Sequence, residues 1–219
     1  MNLEEHEHIE KWDPHEFMVI PPNKQTDLII QEIITKNNPR LGYINDLIEL
    51  GANLDWINDQ GNSVLHIAVH NQKNDLVKLF LKKGVDVNIK DTWNETPLHW
   101  AVRHNDLSLI KILLKYGSDI NALDLVGRTP LIFAVNNNNT ILVRFLLDKG
   151  ADPNIQDNDN WTALFWAVRH RSIKIVKMLI SSGANRDIRD EHNMTSFDLS
   201  EMRGYTEISK ALKTFKIIK

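Results

Sequence analysis

No cysteine occurs among the 219 residues, which excludes disulfides, thiolate nucleophiles and Cys-based zinc sites. Long apolar runs are missing too. Nothing approaches the roughly eighteen residues that suggest a membrane-spanning helix, so no segment is expected to cross a bilayer and no membrane partner is expected. The opening stretch MNLEEHEHIEKWDPHEF is acidic and polar and lacks the basic start and apolar core of a secretory signal. A cytoplasmic setting follows as the expectation. Charge of one sign is also scarce: the net charge of −3 argues against general affinity for nucleic acid, without excluding a local basic patch. There is no phosphate-binding glycine loop, nucleophile elbow, HExxH or nucleotide fingerprint. Neither catalysis nor a cofactor is expected.

What the chain does have is hydrophobic residues, 42% of the total, and a period. In rows of thirty-three residues, Gly51, Gly84, Gly117, Gly150 and Gly183 fall in one column. Ser63, Thr96, Thr129, Thr162 and Thr195 fall in a second, and Leu65, Leu98, Leu131, Leu164 and Phe197 in a third. Each row predicts a hydroxyl-capped first helix, with proline inside its first turn at Pro97 and Pro130. A second helix follows with an apolar stripe such as Leu109, Ile110, Leu113 and Leu114. The glycine column then ends it, where left-handed geometry is cheap. Neither helix can bury its apolar face alone, so rows must stack into one core.

The segments ETPLHWAV with LLKYGSDIN, and NSVLHIAV with FLKKGVDVN, resemble the ankyrin repeat family, and the resemblance covers most of the chain. It implies an all-α solenoid of antiparallel helix pairs with projecting β-hairpin-like loops. Rows 60–92, 93–125, 126–158 and 159–191 match well. A degenerate N-terminal cap is expected over 27–59 and a C-terminal cap over 192–219, with a polar arm over 1–26. Where the family's turn glycine is replaced, by Asn94, Asn160 and Asn193 or by Gln72, Asn105, Asn138 and Arg171, positive φ is expected to persist, with slight strain between the helices.

His66 and His99 stand a full repeat apart. Packed helices lie about 8–10 Å apart, too far for one metal with bonds of about 2 Å. Both are read as core histidines bonded to neighbouring loop backbone, and no metal is expected. Asp91, Asp124, Asp157 and Asp190 are read as braces of the turns. His6 and His8, in HEHIE, are read as a polar tail with weak metal affinity as the alternative.

The resemblance places partner binding on a concave face made by the hairpin tips and the ends of the first helices. Trp93 and Trp161, read as turn-tip residues with little to pack against in their own repeats, join Leu125, Val126, Arg103, Arg128 and Arg169 in an apolar, aromatic and basic strip. Trp and Arg are frequent binding hot spots. The competing reading is that tip residues cover a neighbouring loop or the arm. His70, His104 and His170 line the same side and are expected to strengthen binding at mildly acid pH. The expected function is a monomeric adaptor or inhibitor holding another protein or an acidic peptide. The alternative is a structural or self-associating protein. The resemblance further implies Asn88, Asn121 and Asn154 as sites for an asparaginyl hydroxylase. The Asn-, Ile- and Lys-rich make-up is similar to that of small ankyrin proteins of intracellular bacteria and protists, implying delivery to a host cell as one setting.

Overall fold

The computed structural model describes residues 22–214, so the segment HEHIE and most of the expected arm lie outside the described residues. Two compact units divide at Trp56 and Ile57. The first contains α1 (Pro22–Thr35) and α2 (Leu41–Glu49). Ile29 and Ile33 of α1 and Ile44 and Leu47 of α2 are buried and form its core. Glu32, buried on α1, accepts from Arg40 Nε at 3.1 Å. Arg40 holds its carboxyl below the usual range although burial pushes the other way. Helix α1 opens at Pro22, four residues before the expected end of the arm at 26. Gln25 and Thr26 are buried, and the Thr26 hydroxyl donates to Asn53 O at 3.1 Å.

The second unit repeats one motif: a seven-residue helix followed by a nine-residue one. The pairs are α3 (Val64–His70) with α4 (Asn74–Lys82), and α5 (Pro97–Arg103) with α6 (Leu107–Lys115). Then come α7 (Pro130–Asn136) with α8 (Thr140–Asp148), α9 (Ala163–Arg169) with α10 (Ile173–Ser181), and α11 (Ser196–Met202) with α12 (Thr206–Thr214). The hydroxyl column caps as expected at Ser63, Thr129 and Thr195, each accepting a backbone N–H from the third residue on. Thr162 departs from the rule and makes no side-chain cap bond. The second helices run into the glycine column, where Gly84, Gly117, Gly150 and Gly183 all have φ of 89–90°. The inter-helix turns keep positive φ without glycine, from 49° at Asn138 to 57° at Asn105.

First helices pack in succession, α3 on α5, α5 on α7, α7 on α9 and α9 on α11. The leucine column from Leu65 to Leu164 is fully buried along that stack. Complete burial of each such side chain favours folding by about 1.5–3 kcal/mol. The loops between pairs are turns: among the described residues the only β pairings are the isolated bridges Ile57–Ser63 and Arg189–Thr195.

Candidate partner-binding strip

The strip rests on the aspartate column. One carboxylate oxygen of Asp91 accepts from the backbone of Trp93 at 2.8 Å and Glu95 at 2.9 Å. Asp124 does the same for Val126 and Arg128, Asp157 for Asp159 and Trp161, and Asp190 for His192 and Met194. The column braces its turns, as its residue type requires. At Asp91 and Asp157 the second oxygen reaches the first helix. Trp100 Nε1 donates to Asp91 at 3.0 Å and Trp166 Nε1 to Asp157 at 2.7 Å, while Arg128 Nε donates to Asp124 at 2.9 Å. Successive tips are also tied by backbone bonds: Thr92 N to Gln60 O at 3.2 Å, Leu125 N to Trp93 O at 2.7 Å, and Asn158 N to Val126 O at 3.0 Å. At Gly127 the next tip comes so close that an added Cβ would lie 2.7 Å from Asn158 Oδ1.

On this braced edge Trp93 is 65% exposed, Leu125 51% and Val126 43%. Trp161 corrects the expectation. It is half-buried, stacks on Phe165 with centroids 5.8 Å apart, and meets Trp166 edge-on at 5.3 Å. The column, read alone, separates the two tryptophans. Trp93 shares its column with Gln60, Val126, Asp159 and His192, all exposed. Trp161 shares its column with Asn62, Glu95, Arg128 and Met194, all buried or half-buried.

The arginines differ as well. Arg103 pairs with Glu95, which is only 4% exposed, and lies 5.2 Å from the Phe133 centroid. Burial pushes the Glu95 carboxyl up, and Arg103 only partly offsets this. Arg128 pairs with Asp124 at 2.8 Å and lies 4.8 Å from the same Phe133 ring. Arg169 covers Trp161 at 5.6 Å and Trp166 at 5.2 Å. Two of the three basic groups are thus neutralised within the chain. A cleft of about 480 Å³ opens here, with Gln60, Asn62, Trp93, Trp100, Arg103 and Arg128 among its lining residues.

The histidines point along the stack. His104 Nε2 lies 3.2 Å from His70 Nδ1, and His170 Nε2 donates to Asn136 Oδ1 at 3.0 Å. Each AVRH copy therefore reaches back to the copy before it. Burial lowers the His104 pKa, helped by His70 and Arg103, and burial with Arg169 lowers that of His170. Both are thereby shifted toward acid relative to a free imidazole. His66 and His99 are core residues as read: their Nε2 atoms lie 3.1 Å from Glu95 O and Arg128 O of the following turns.

Asn88, Asn121 and Asn154 clamp adjacent repeats. Their Oδ1 atoms accept from Asp119, Asp152 and Asn185 backbone N–H at 2.8, 2.9 and 2.6 Å. Among the described residues no group of three or more His, Asp or Glu is placed to hold a metal. None of the described helices is long and apolar enough to cross a membrane.

A family model described as ankyrin repeats in three copies matches residues 32–124 and again 105–190. No curated protein matches the chain.

Proposed function

The chain belongs to the ankyrin repeat family, whose repeats are protein–protein interaction modules, and from that premise we propose that it is an adaptor or inhibitor holding a partner protein on the strip of tips and first-helix ends. The observation that carries this reading is Trp93. A large indole stands 65% exposed on a tip fixed by Asp91 and by the backbone bond from Leu125, beside a cleft of about 480 Å³. Indoles held rigid beside a cleft are typical binding anchors. Leu125 and Val126, on the next tip, extend the apolar edge. Because Arg103 and Arg128 already have carboxylate partners, the strip suits an apolar or aromatic insertion better than an acidic peptide. The chain acts in the cytoplasm in this reading and no catalysis is involved.

The test is affinity capture with full-length protein, comparing wild type with Trp93→Ala/Leu125→Ser. Both side chains are exposed, so the variant is expected to keep the wild-type melting temperature and lose one captured protein. Trp161→Ala serves as a contrast. Its ring is packed on Phe165 and Trp166, so it is expected to cost about 2 kcal/mol of stability. Identical captures from wild type and the Trp93 variant would overturn the reading. A mass of twice 25.3 kDa that returns to monomer in that variant would assign the strip to self-association instead.

A further inference from the structure

The net charge of −3 conceals a segregation of charge. The fifth residue of each nine-residue helix is basic: Lys78 in α4, Lys111 in α6, Arg144 in α8, Lys177 in α10 and Lys210 in α12. All five are exposed. Helices α4 and α6, α8 and α10, and α10 and α12 pack together, and Lys111 Nζ on α6 lies 5.8 Å from the Phe145 centroid on α8. Packed helices lie about 8–10 Å apart, which sets the spacing of cations carried at equivalent positions on them. Lys78 has a carboxylate partner, Asp75 at 3.0 Å. Among the described residues no ion pair includes the other four. This is the reverse of the strip, whose Arg103 and Arg128 are paired.

Like charges at such spacing repel across about one Debye length at 0.1 M salt, so lining up these cations does not itself favour folding. It has an apolar anchor beside it. A cleft of about 330 Å³ between α6 and α8 has Leu114 and Phe145 among its walls and Lys111, Lys115 and Lys149 around it. Lys149 Nζ, like Lys111 Nζ, is 5.8 Å from the Phe145 centroid.

We propose that this ladder docks an extended acidic segment of a partner protein, with carboxylates three residues apart and one apolar side chain seated in the Phe145 cleft. An extended segment in the polyproline II conformation has three residues per turn and advances about 3.1 Å per residue, so every third residue returns to one face and matches rungs roughly 8–10 Å apart. A single-stranded nucleic acid fits less well, because it needs an aromatic platform for successive bases, and Phe145 is the aromatic side chain in this cleft. A membrane surface also fits less well. The parallel column Lys82, Lys115, Asp148, Ser181 changes sign after two repeats, leaving a line of charge and not a field.

The proposal is independent of the strip, and its test keeps the two apart. The probe is a fluorescein-labelled peptide of about thirteen residues, long enough for five rungs. It carries glutamate at every third position, one leucine next to the central glutamate, and serine elsewhere. Fluorescence anisotropy with full-length protein is expected to show binding that weakens steeply with salt. Lys111→Gln/Arg144→Gln/Lys177→Gln is expected to weaken it at least about tenfold, with an unchanged circular dichroism spectrum, while Trp93→Ala leaves it intact. A peptide of the same composition with its glutamates clustered at one end is expected to bind about tenfold more weakly. Equal affinity for the clustered peptide, or no loss in the triple variant, overturns the proposal. So does tighter binding to duplex DNA or to phosphatidylserine vesicles than to the spaced peptide.

Discussion

His99 shows how one side chain can set a pH limit on the molecule. The Thr96 backbone N–H donates to its Nδ1 at 3.1 Å, so Nδ1 carries the lone pair and the proton sits on Nε2, 3.1 Å from Arg128 O. Burial, with Arg103 nearby, lowers its pKa to about 4, against the pull of the Arg128 carbonyl, Asp124 and Asp91. A histidine buried neutral leaves stability whole above the unfolded pKa of about 6.5. As pH falls below that value the unfolded chain takes up the proton first, and stability drops until the folded pKa is reached. The expected loss is about 2 kcal/mol by pH 5, rising to roughly 3 kcal/mol by pH 4. Burial also lowers the His66 pKa, which adds in the same direction. Urea midpoints at pH 7 and pH 5 check this. His99→Gln keeps a donor for Arg128 O and is expected to flatten the slope without removing it. An unchanged slope would place the acid sensitivity elsewhere.

At the level of the element, periodic parts are legible in the sequence and those that depend on side-chain reach are not. Helix pairs, glycine ends and aspartate braces follow from spacing, because each is a local solution repeated in every row. The long α1, starting at Pro22, breaks the row pattern and falls outside what periodicity can tell. Trp161 shows that a turn position does not imply exposure. Its indole folds back over its own first helix, onto Phe165 and Trp166. The arginine pairings were hidden for a related reason: Arg103 reaches Glu95 across eight residues and Arg128 reaches Asp124 across four. The inter-helix turns carry the strain the sequence suggested. Gln72 has φ of 55° and is exposed. A side chain in that region costs about 1 kcal/mol that glycine avoids. Gln72→Gly is expected to raise stability by about that amount, less the entropy glycine adds to the unfolded chain. A lower urea midpoint in the variant would mean that the Gln72 side chain makes a contribution the turn geometry does not reveal. Asn88, Asn121 and Asn154 belong to this scale too. Each amide oxygen accepts from the next repeat's backbone, so any enzyme acting on these side chains would first have to part neighbouring repeats.

For the molecule as a whole, a stack whose members touch only their neighbours places its weak point in the middle. Helix α7 packs on α5 and on α9, whereas α11 packs on α9 and its own α12. Leu131, fully buried in α7, therefore supports interfaces on both sides. Leu131→Ala is expected to cost about 2–5 kcal/mol. In a nearest-neighbour system that loss does more than lower one transition. It uncouples the repeats before it from those after it, so unfolding should broaden or split. The tryptophans are placed to report this: Trp93 and Trp100 lie on one side of the repeat 126–158, and Trp161 and Trp166 on the other. Replacing Trp161 and Trp166 with phenylalanine leaves tryptophan only before that repeat, and replacing Trp12, Trp56, Trp93 and Trp100 leaves it only after, so fluorescence reads each side alone. In the wild-type background the two readings are expected to coincide along a urea titration, as one cooperative unit requires. With Leu131→Ala they should separate, and the side with fewer repeats should melt first. Coincident curves in the variant would mean that the interfaces flanking α7 are strong enough to hold the stack together despite the cavity, and that cooperativity here extends beyond nearest neighbours.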